Sequence, residues 1–235
     1  MNTRQAKAVA DELEEVSGEL SRMGGIVEDM LEKSMRAVVG ADREMAADIV
    51  RRDADVDAIE ADIEKRVLRL LEGSSGISKP DSRLMIAALK ASGDLERVGD
   101  LAKNIAKRTL AVDVVAGDES GEMLRSLSRM GRLVFAQLKG VLDAFSTLDL
   151  DAAAVIWARD EEVDEHYNTL FRVLLTYMMG DPRTIGACTH MLFMAKNLER
   201  IGDHCTNIAE SIHFLVTGDK VTTQRPKIDD LDEQS

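Results

Sequence analysis

Apolar positions recur along this chain in steps that alternate four and three. One run is Leu84, Ala88, Ala91, Leu95, Val98, Ala102 and Ile105; another is Ala187, Met191, Met194, Leu198, Ile201, Cys205, Ile208 and Ile212. That period is the seam of a helix that buries one stripe in a coiled-coil-like bundle. Breaks divide the chain into six helices. The first runs from near Thr3 to Gly40-Ala41-Asp42, and the second from about Asp42 to Glu72, before Gly73-Ser74-Ser75-Gly76. The third begins around Ser78 to Asp81, with Pro80 suited to a first turn, and reaches about Val112. Gly117-Asp118-Glu119-Ser120 reads as the start of a fourth, which ends near Ser146. Thr147-Leu148-Asp149 links it to a fifth, closing at Met179-Gly180, and Asp181-Pro182 caps a sixth that reaches about Val216. The polar tail after it is expected to be disordered.

The six helices are two copies of one unit. Leu95-Glu96-Arg97-Val98-Gly99-Asp100 recurs as Leu198-Glu199-Arg200-Ile201-Gly202-Asp203, and Asn104-Ile105-Ala106 as Asn207-Ile208-Ala209, an offset of 103 from Glu96 to Glu199. Arg52-Asp53 and Val56-Asp57 recur as Arg159-Asp160 and Val163-Asp164, an offset of 107 from Asp53 to Asp160. The expected fold class is therefore all-α: tandem three-helix bundles over residues 1–115 and 116–217, with a tail over 218–235.

Composition agrees. The chain has 235 residues, 45% of them hydrophobic but only 3% aromatic, so its core is aliphatic, and three prolines leave long helices uninterrupted. The formal net charge is −13. Through Val112 there are 18 basic and 22 acidic residues, and after it 12 and 21, so both halves are acidic. No basic footprint for nucleic acid is visible, and anionic membrane surfaces would repel the chain. Cys188 and Cys205 are the only cysteines. On one continuous helix their separation of 17 residues is roughly 25 Å, beyond disulfide reach. Met1 to Ala10 is polar rather than signal-like, and no apolar run approaches the ~20 residues of a membrane span. The expected location is the cytoplasm.

Glu96, Asp100 and Asn104 stand four apart and share one helix face, away from the seam. Glu199, Asp203 and Asn207 repeat it. The second helix of each half offers a facing row: Asp53 and Asp57 in one, Asp160, Asp164 and Asn168 in the other. Such rows bring together the oxygen ligands of hard or borderline metal cations. A single row of this kind is usually a solvated charged face. Against that stand its duplication and the repulsion between acids four apart, which costs about 0.2–0.5 kcal/mol per pair. Arg97 and Lys103 can neutralise Asp100, whereas Thr206 replaces the lysine beside Asp203.

The tandem pairing of Asp-x-x-Val-Asp with Leu-Glu-Arg-[Val/Ile]-Gly-Asp-x-x-x-Asn-Ile-Ala resembles the PhoU family of phosphate-uptake regulators, from Arg4 to about Val216. The resemblance implies two three-helix bundles, often dimerising, with metal (iron, zinc, manganese or magnesium) on the acidic faces. It implicates Asp53, Asp57, Glu96, Asp100 and Asn104 in one half, and Asp160, Asp164, Glu199, Asp203 and Asn207 in the other. It also implies a cytoplasmic, non-enzymatic repressor of the phosphate-starvation response. The implied partners are the ATPase subunit of the phosphate ABC transporter and a phosphate-sensing histidine kinase. The halves are not identical: Asn168 corresponds to Ala61, with Glu60 and Glu64 nearby.

Two other readings compete. Di-iron oxidases carry Glu-x-x-His inside helical bundles. Glu210-Ser211-Ile212-His213 fits that string, but its counterparts are Lys107 and Leu110, so no second copy exists. His166, His190 and His204 have no metal-ligand spacing, and Gly24-Gly25 and Gly99 lie in helical patterns rather than a phosphate loop. The other reading is a metal-free adaptor whose acidic faces bind basic protein patches.

Overall fold

A computed structural model describes residues 3–73, 77–111 and 118–221. It is all-helical there: α1 (Thr3–Gly40), α2 (Arg43–Gly73), α3 (Lys79–Ala111), α4 (Asp118–Thr147), α5 (Leu150–Ala158), α6 (Asp160–Gly180) and α7 (Ile185–Thr217). The expected fifth helix is thus two. At Arg159 (φ −84°, ψ −3°) the amide is shared between the carbonyls of Val155 and Ile156, and the ladder breaks before α6. Pro182 opens a short 3-10 turn, Pro182–Thr184, rather than α7 itself. Thr217 ends α7, with Gly218 in the left-handed region (φ 85°) as its cap. The expected tail beyond 221, the boundary at 115/116 and the Ser74–Gly76 linker lie outside the described residues.

The turn after the first helix of each half is built twice in the same way. Ala41 (φ 51°) and Leu148 (φ 54°) both sit in the left-handed region. The next amide reaches back five residues in each case, Asp42 to the Ala37 carbonyl and Asp149 to the Ala144 carbonyl, both at 3.0 Å. Those same aspartates then cap the following helix, Asp42 accepting from the Met45 amide and Asp149 from the Ala152 amide.

Packing shows the duplication as a pseudo-twofold relation. α3 packs on α1 and α2, α7 packs on α4, α5 and α6, and the bundles join through α3 against α7 and α1 against α4. A Cβ on Gly24 of α1 would meet the Leu142 side chain of α4 at 2.6 Å, and one on Gly131 of α4 would meet Met35 of α1 at 2.7 Å. Gly24 and Gly131, like Met35 and Leu142, are 107 residues apart. Gly24 and Gly131 are therefore packing residues. α3 and α7 run antiparallel: the Lys90 ammonium lies 5.8 Å from the Phe214 ring at one end, and the Arg108 guanidinium 4.1 Å from Phe193 at the other. One apolar cluster runs through both halves, taking in Val27, Met30, Leu95 and Val98 with Val134, Leu138, Leu198 and Ile201. Cys188 and Cys205 are free and buried within it, and burial pushes the Cys205 thiol far above its ordinary range.

Two outcomes are expected. A non-glycine residue in the left-handed region carries a steric cost that glycine lacks, so Ala41→Gly and Leu148→Gly should each stabilise by about 0.5–1 kcal/mol. Denaturant titration measures this; destabilisation by both variants rules out the turn geometry. Native protein should also leave both thiols unreacted with a thiol reagent that modifies two per chain after denaturation.

Candidate functional site

The seam residues place the acids. With Leu95 and Val98 buried in the first bundle, Glu96 and Asp100 fall on the flank of α3 that faces α2. There they meet Asp53, Asp57 and Glu60. The Lys103 ammonium stands between the two helices, 2.5 Å from Asp53 on α2 and 2.5 Å from Asp100 on its own helix. Only 16% of the Lys103 side chain and 13% of the Asp53 side chain are exposed. Burial works against the Lys103 charge, but hydrogen bonds to Asp100 and Asp53 outweigh it and hold the ammonium above its usual range. Arg97 lies further out, 3.4 Å from Glu96 and 3.7 Å from Asp100.

The remaining acids of this face are crowded. Burial raises Asp57, with the negative charge of Asp53 adding to it; burial raises Glu96, with Asp100 adding to it. Glu60 is raised by burial and by Glu64, its neighbour one turn away. Four of the five expected residues, Asp53, Asp57, Glu96 and Asp100, are thus in one electrostatic cluster. Asn104 is exposed, one turn further along α3.

The second face is put together differently. Glu199 and Asp203 occupy the matching flank of α7, and Glu199 interacts with both Asp203 and Asp164 of α6. Burial raises the Glu199 carboxyl against the opposing pull of Lys196, whose ammonium is 2.7 Å from Oε1. Glu199 Oε2 is buried and has no hydrogen-bond partner. The Thr206 hydroxyl, at the Lys103 position, donates to the backbone carbonyl of Asp203 instead of reaching α6.

Asp160 turns inward and is only 5% exposed. A Cβ on Gly202 would lie 3.0 Å from its Oδ1 and 3.2 Å from Oε1 of Gln137, so glycine lets both side chains approach α7. Gln137 is buried on α4, and neither of its polar side-chain atoms has a hydrogen-bond partner. Asn207 is drawn away from the acidic row. Its Nδ2 donates to Asp94 of α3 at 3.1 Å, and His204 Nδ1 lies 2.8 Å from the same oxygen, which ties the two bundles together.

Among the described residues, no three His, Cys, Asp or Glu side chains converge closely enough, as they stand, to hold a metal ion. No described helix is long and apolar enough to cross a membrane. The sequence pattern missed Gln137, Asp94 and His204. Gln137 stands 107 residues after Met30, so a polar residue at an apolar seam position was the available signal. The Asp94–His204 contact joins different halves and has no sequence signal.

The raised carboxyls fix the sign of a pH dependence. A group whose folded value is raised stabilises the fold fully below its unfolded value and loses that contribution as pH rises through the folded one. In chelator-treated protein, Glu199→Gln should therefore melt about 2–4 °C above wild type at neutral pH, the shift that about 1 kcal/mol produces at this chain length. The difference should shrink as pH falls below the ordinary glutamate value of 4.5. A difference independent of pH would show that burial of this carboxylate is not its cause.

Comparison with known proteins matches this arrangement over nearly the whole chain. The family model described as PhoU domain matches twice, over residues 20–109 and 127–212, one match per bundle. A relative from Caulobacter vibrioides, named phosphate-specific transport system accessory protein PhoU homolog, is 50% identical over 233 residues, covering 99% of this chain and all of the relative. A relative of the same name from Rhizobium meliloti is 43% identical over 94% of this chain and 92% of its own length. The crystal structure of PhoU from Pseudomonas aeruginosa matches with a TM-score of 0.82 at 34% identity, over 89% of this chain and 99% of that one. The phosphate transport system regulatory protein PhoU from Streptococcus pneumoniae gives 0.83 at 29% identity, over 92% and 100%. Two tandem copies of the domain, in the same order and on the same helices as the duplicated acidic motif, place the chain in the PhoU family.

Proposed function

We propose that this protein is a cytoplasmic accessory regulator of phosphate-specific transport, acting as an adaptor rather than an enzyme. In this reading it links the ATPase subunit of a phosphate ABC transporter to a phosphate-sensing histidine kinase. It represses the phosphate-starvation response while phosphate is abundant, and works as a homodimer. The observation that carries the reading is full-length identity of 50% to a relative named as an accessory protein of phosphate-specific transport. The physical side agrees. Long helices with partly exposed apolar residues such as Ile86, Val173 and Phe193 offer surfaces on which partner helices can dock. An adaptor shifts a kinase only as far as it binds one kinase state better than the other.

The reading includes cation binding at the acidic faces. Carboxylate and carboxamide oxygens suit a hard divalent cation, which would supply positive charge between helices whose acids otherwise repel. The buried, unpartnered Oε2 of Glu199 supports that fit.

Deleting the gene should raise starvation-response transcription several-fold in phosphate-rich medium, and a tagged copy should retain transporter ATPase and kinase from phosphate-replete cells. Unchanged transcription and phosphate uptake in the deletion strain would overturn the assignment.

A further inference from the structure

α1 and α4, which touch each other, cover one face of the antiparallel α3–α7 pair. On the other face, at the Lys90–Phe214 end, lies a groove of about 640 Å3 lined only from α2, α3, α7 and the residues just after it. Its acids are Glu60, Asp94, Glu96 and Glu210, of which Glu60 and Glu210 form no ion pair among the described residues. Lys220 and Val221, the last described residues, line it too, so the chain leaves α7 along this groove. The pseudo-twofold carries this end of the face onto the Arg108–Phe193 end, where the matched positions are basic. Glu210 corresponds to Lys107, Ser211 to Arg108, Gly93 to Lys196 and Arg97 to Arg200. Lys107, Arg108 and Arg200 form no ion pair among the described residues, and Arg108 Nε is buried without a hydrogen-bond partner. Phe193, against the Arg108 guanidinium, is 48% exposed. In a chain of net charge −13, one face thus has an acidic end and an uncompensated basic end.

We propose that the chain's own C-terminal segment, Arg225 to Glu233, docks along this face, its basic residues at the acidic end and its acidic residues at the basic end. The segment has the charge order that the face requires. Arg225 and Lys227 come first after Val221, then Asp229, Asp230, Asp232 and Glu233, with Ile228 and Leu231 among them. Extended chain advances about 3.3 Å per residue, so Arg225 reaches about 13 Å and Asp229 to Glu233 about 26–40 Å from Val221. The helical rise from Lys90 to Arg108 spans about 27 Å. The acids therefore reach Lys107, Arg108, Lys196 and Arg200 of the same molecule, and Arg225 and Lys227 fall beside Glu60 and Glu210. Reversing the charge order of the segment would set like against like at both ends. Ile228 and Leu231 have the exposed Phe193 ring to cover. Burial holds the Arg108 guanidinium below its usual range, and an acidic segment over it supplies the missing charge. Each exposed pair contributes little alone, so docking depends on several acting together and weakens with salt. The contact is independent of the regulatory reading above.

Carbodiimide cross-linking of the full chain at low salt, mapped by peptide mass, tests this, with amide exchange over residues 228–233 as a second measurement. Asp229 to Glu233 should link to Lys107 and Lys196 about tenfold more than to Lys65 of α2 or Lys139 of α4, both exposed. Mixing isotope-labelled with unlabelled protein should show these links within one chain, and about 0.5 M salt should remove them. Arg200→Glu, at an exposed position, should cut both links about fivefold and speed exchange of the 228–233 amides, with helicity by circular dichroism unchanged. Lys107→Glu, read at Lys196 alone, is the alternative should that variant alter the fold. Equal linking to Lys65 or Lys139, or links that survive both substitutions, overturns the proposal. Links that run between chains overturn it too, and assign the same face to the tail of a second copy.

Discussion

α3 and α7 must each bury two faces, one in their own bundle and one against each other. Small residues such as Ala91, Ala102, Ala195 and Ala209 stand along these central helices, all of them buried. A helix with two buried faces has one flank left for charge. On α3 that flank faces α2, and on α7 it faces α6, which is why the acids appear in facing rows rather than scattered over the surface. The same contact brings Asp94 within reach of His204 and Asn207. Asn207, which repetition alone would place among the acids, therefore joins the two bundles.

Each acidic flank then faces a problem of unbalanced charge. Burial and mutual repulsion both raise Asp57 and Glu96, so the native state carries these carboxylates at a disadvantage near neutral pH. The first bundle offsets this by drawing Lys103 into the gap between helices. The second has no such lysine, and its break at Arg159 starts a new helix at Asp160, whose side chain is buried beside Gly202 and Gln137. Two copies of one motif have thus come to different electrostatic solutions, with α2 continuous through Arg52 where the second copy breaks at Arg159.

The helices and their pairing were legible in the sequence because both depend on local pattern: period, caps and the repeat itself. Gly40-Ala41-Asp42 and Thr147-Leu148-Asp149 were readable as breaks, since a left-handed residue followed by a capping aspartate is a local device. The acidic rows were readable for the same reason, being i to i+4 relations. What was not readable depends on contacts between distant elements. No glycine or proline near Arg159 marks a break; Asp160-Glu161-Glu162 is an acidic first turn, a weak signal that a continuous charged helix face would also give. Lys103 was visible as a neighbour of Asp100, but its reach to Asp53 required the α2–α3 distance. Asn207 was assigned by repetition, and repetition fails at a residue used for the contact between the copies.

That contact also bears on how a regulator of this shape could respond to an ion. A ligand alters a protein's preference between states only through a difference in affinity for them. A lysine carried by the chain, such as Lys103 between Asp53 and Asp100, is present at every ion concentration. A face that took its balancing charge from solution would be responsive to concentration as well. Asp94 lies two residues from Glu96, and Asn207 one turn from Asp203, so the bonds joining α3 to α7 stand beside both acidic rows. Adjacency alone is not coupling. It does mean that any shift of α7 driven by charge at Asp203 must either carry the Asp94 contacts with it or break them.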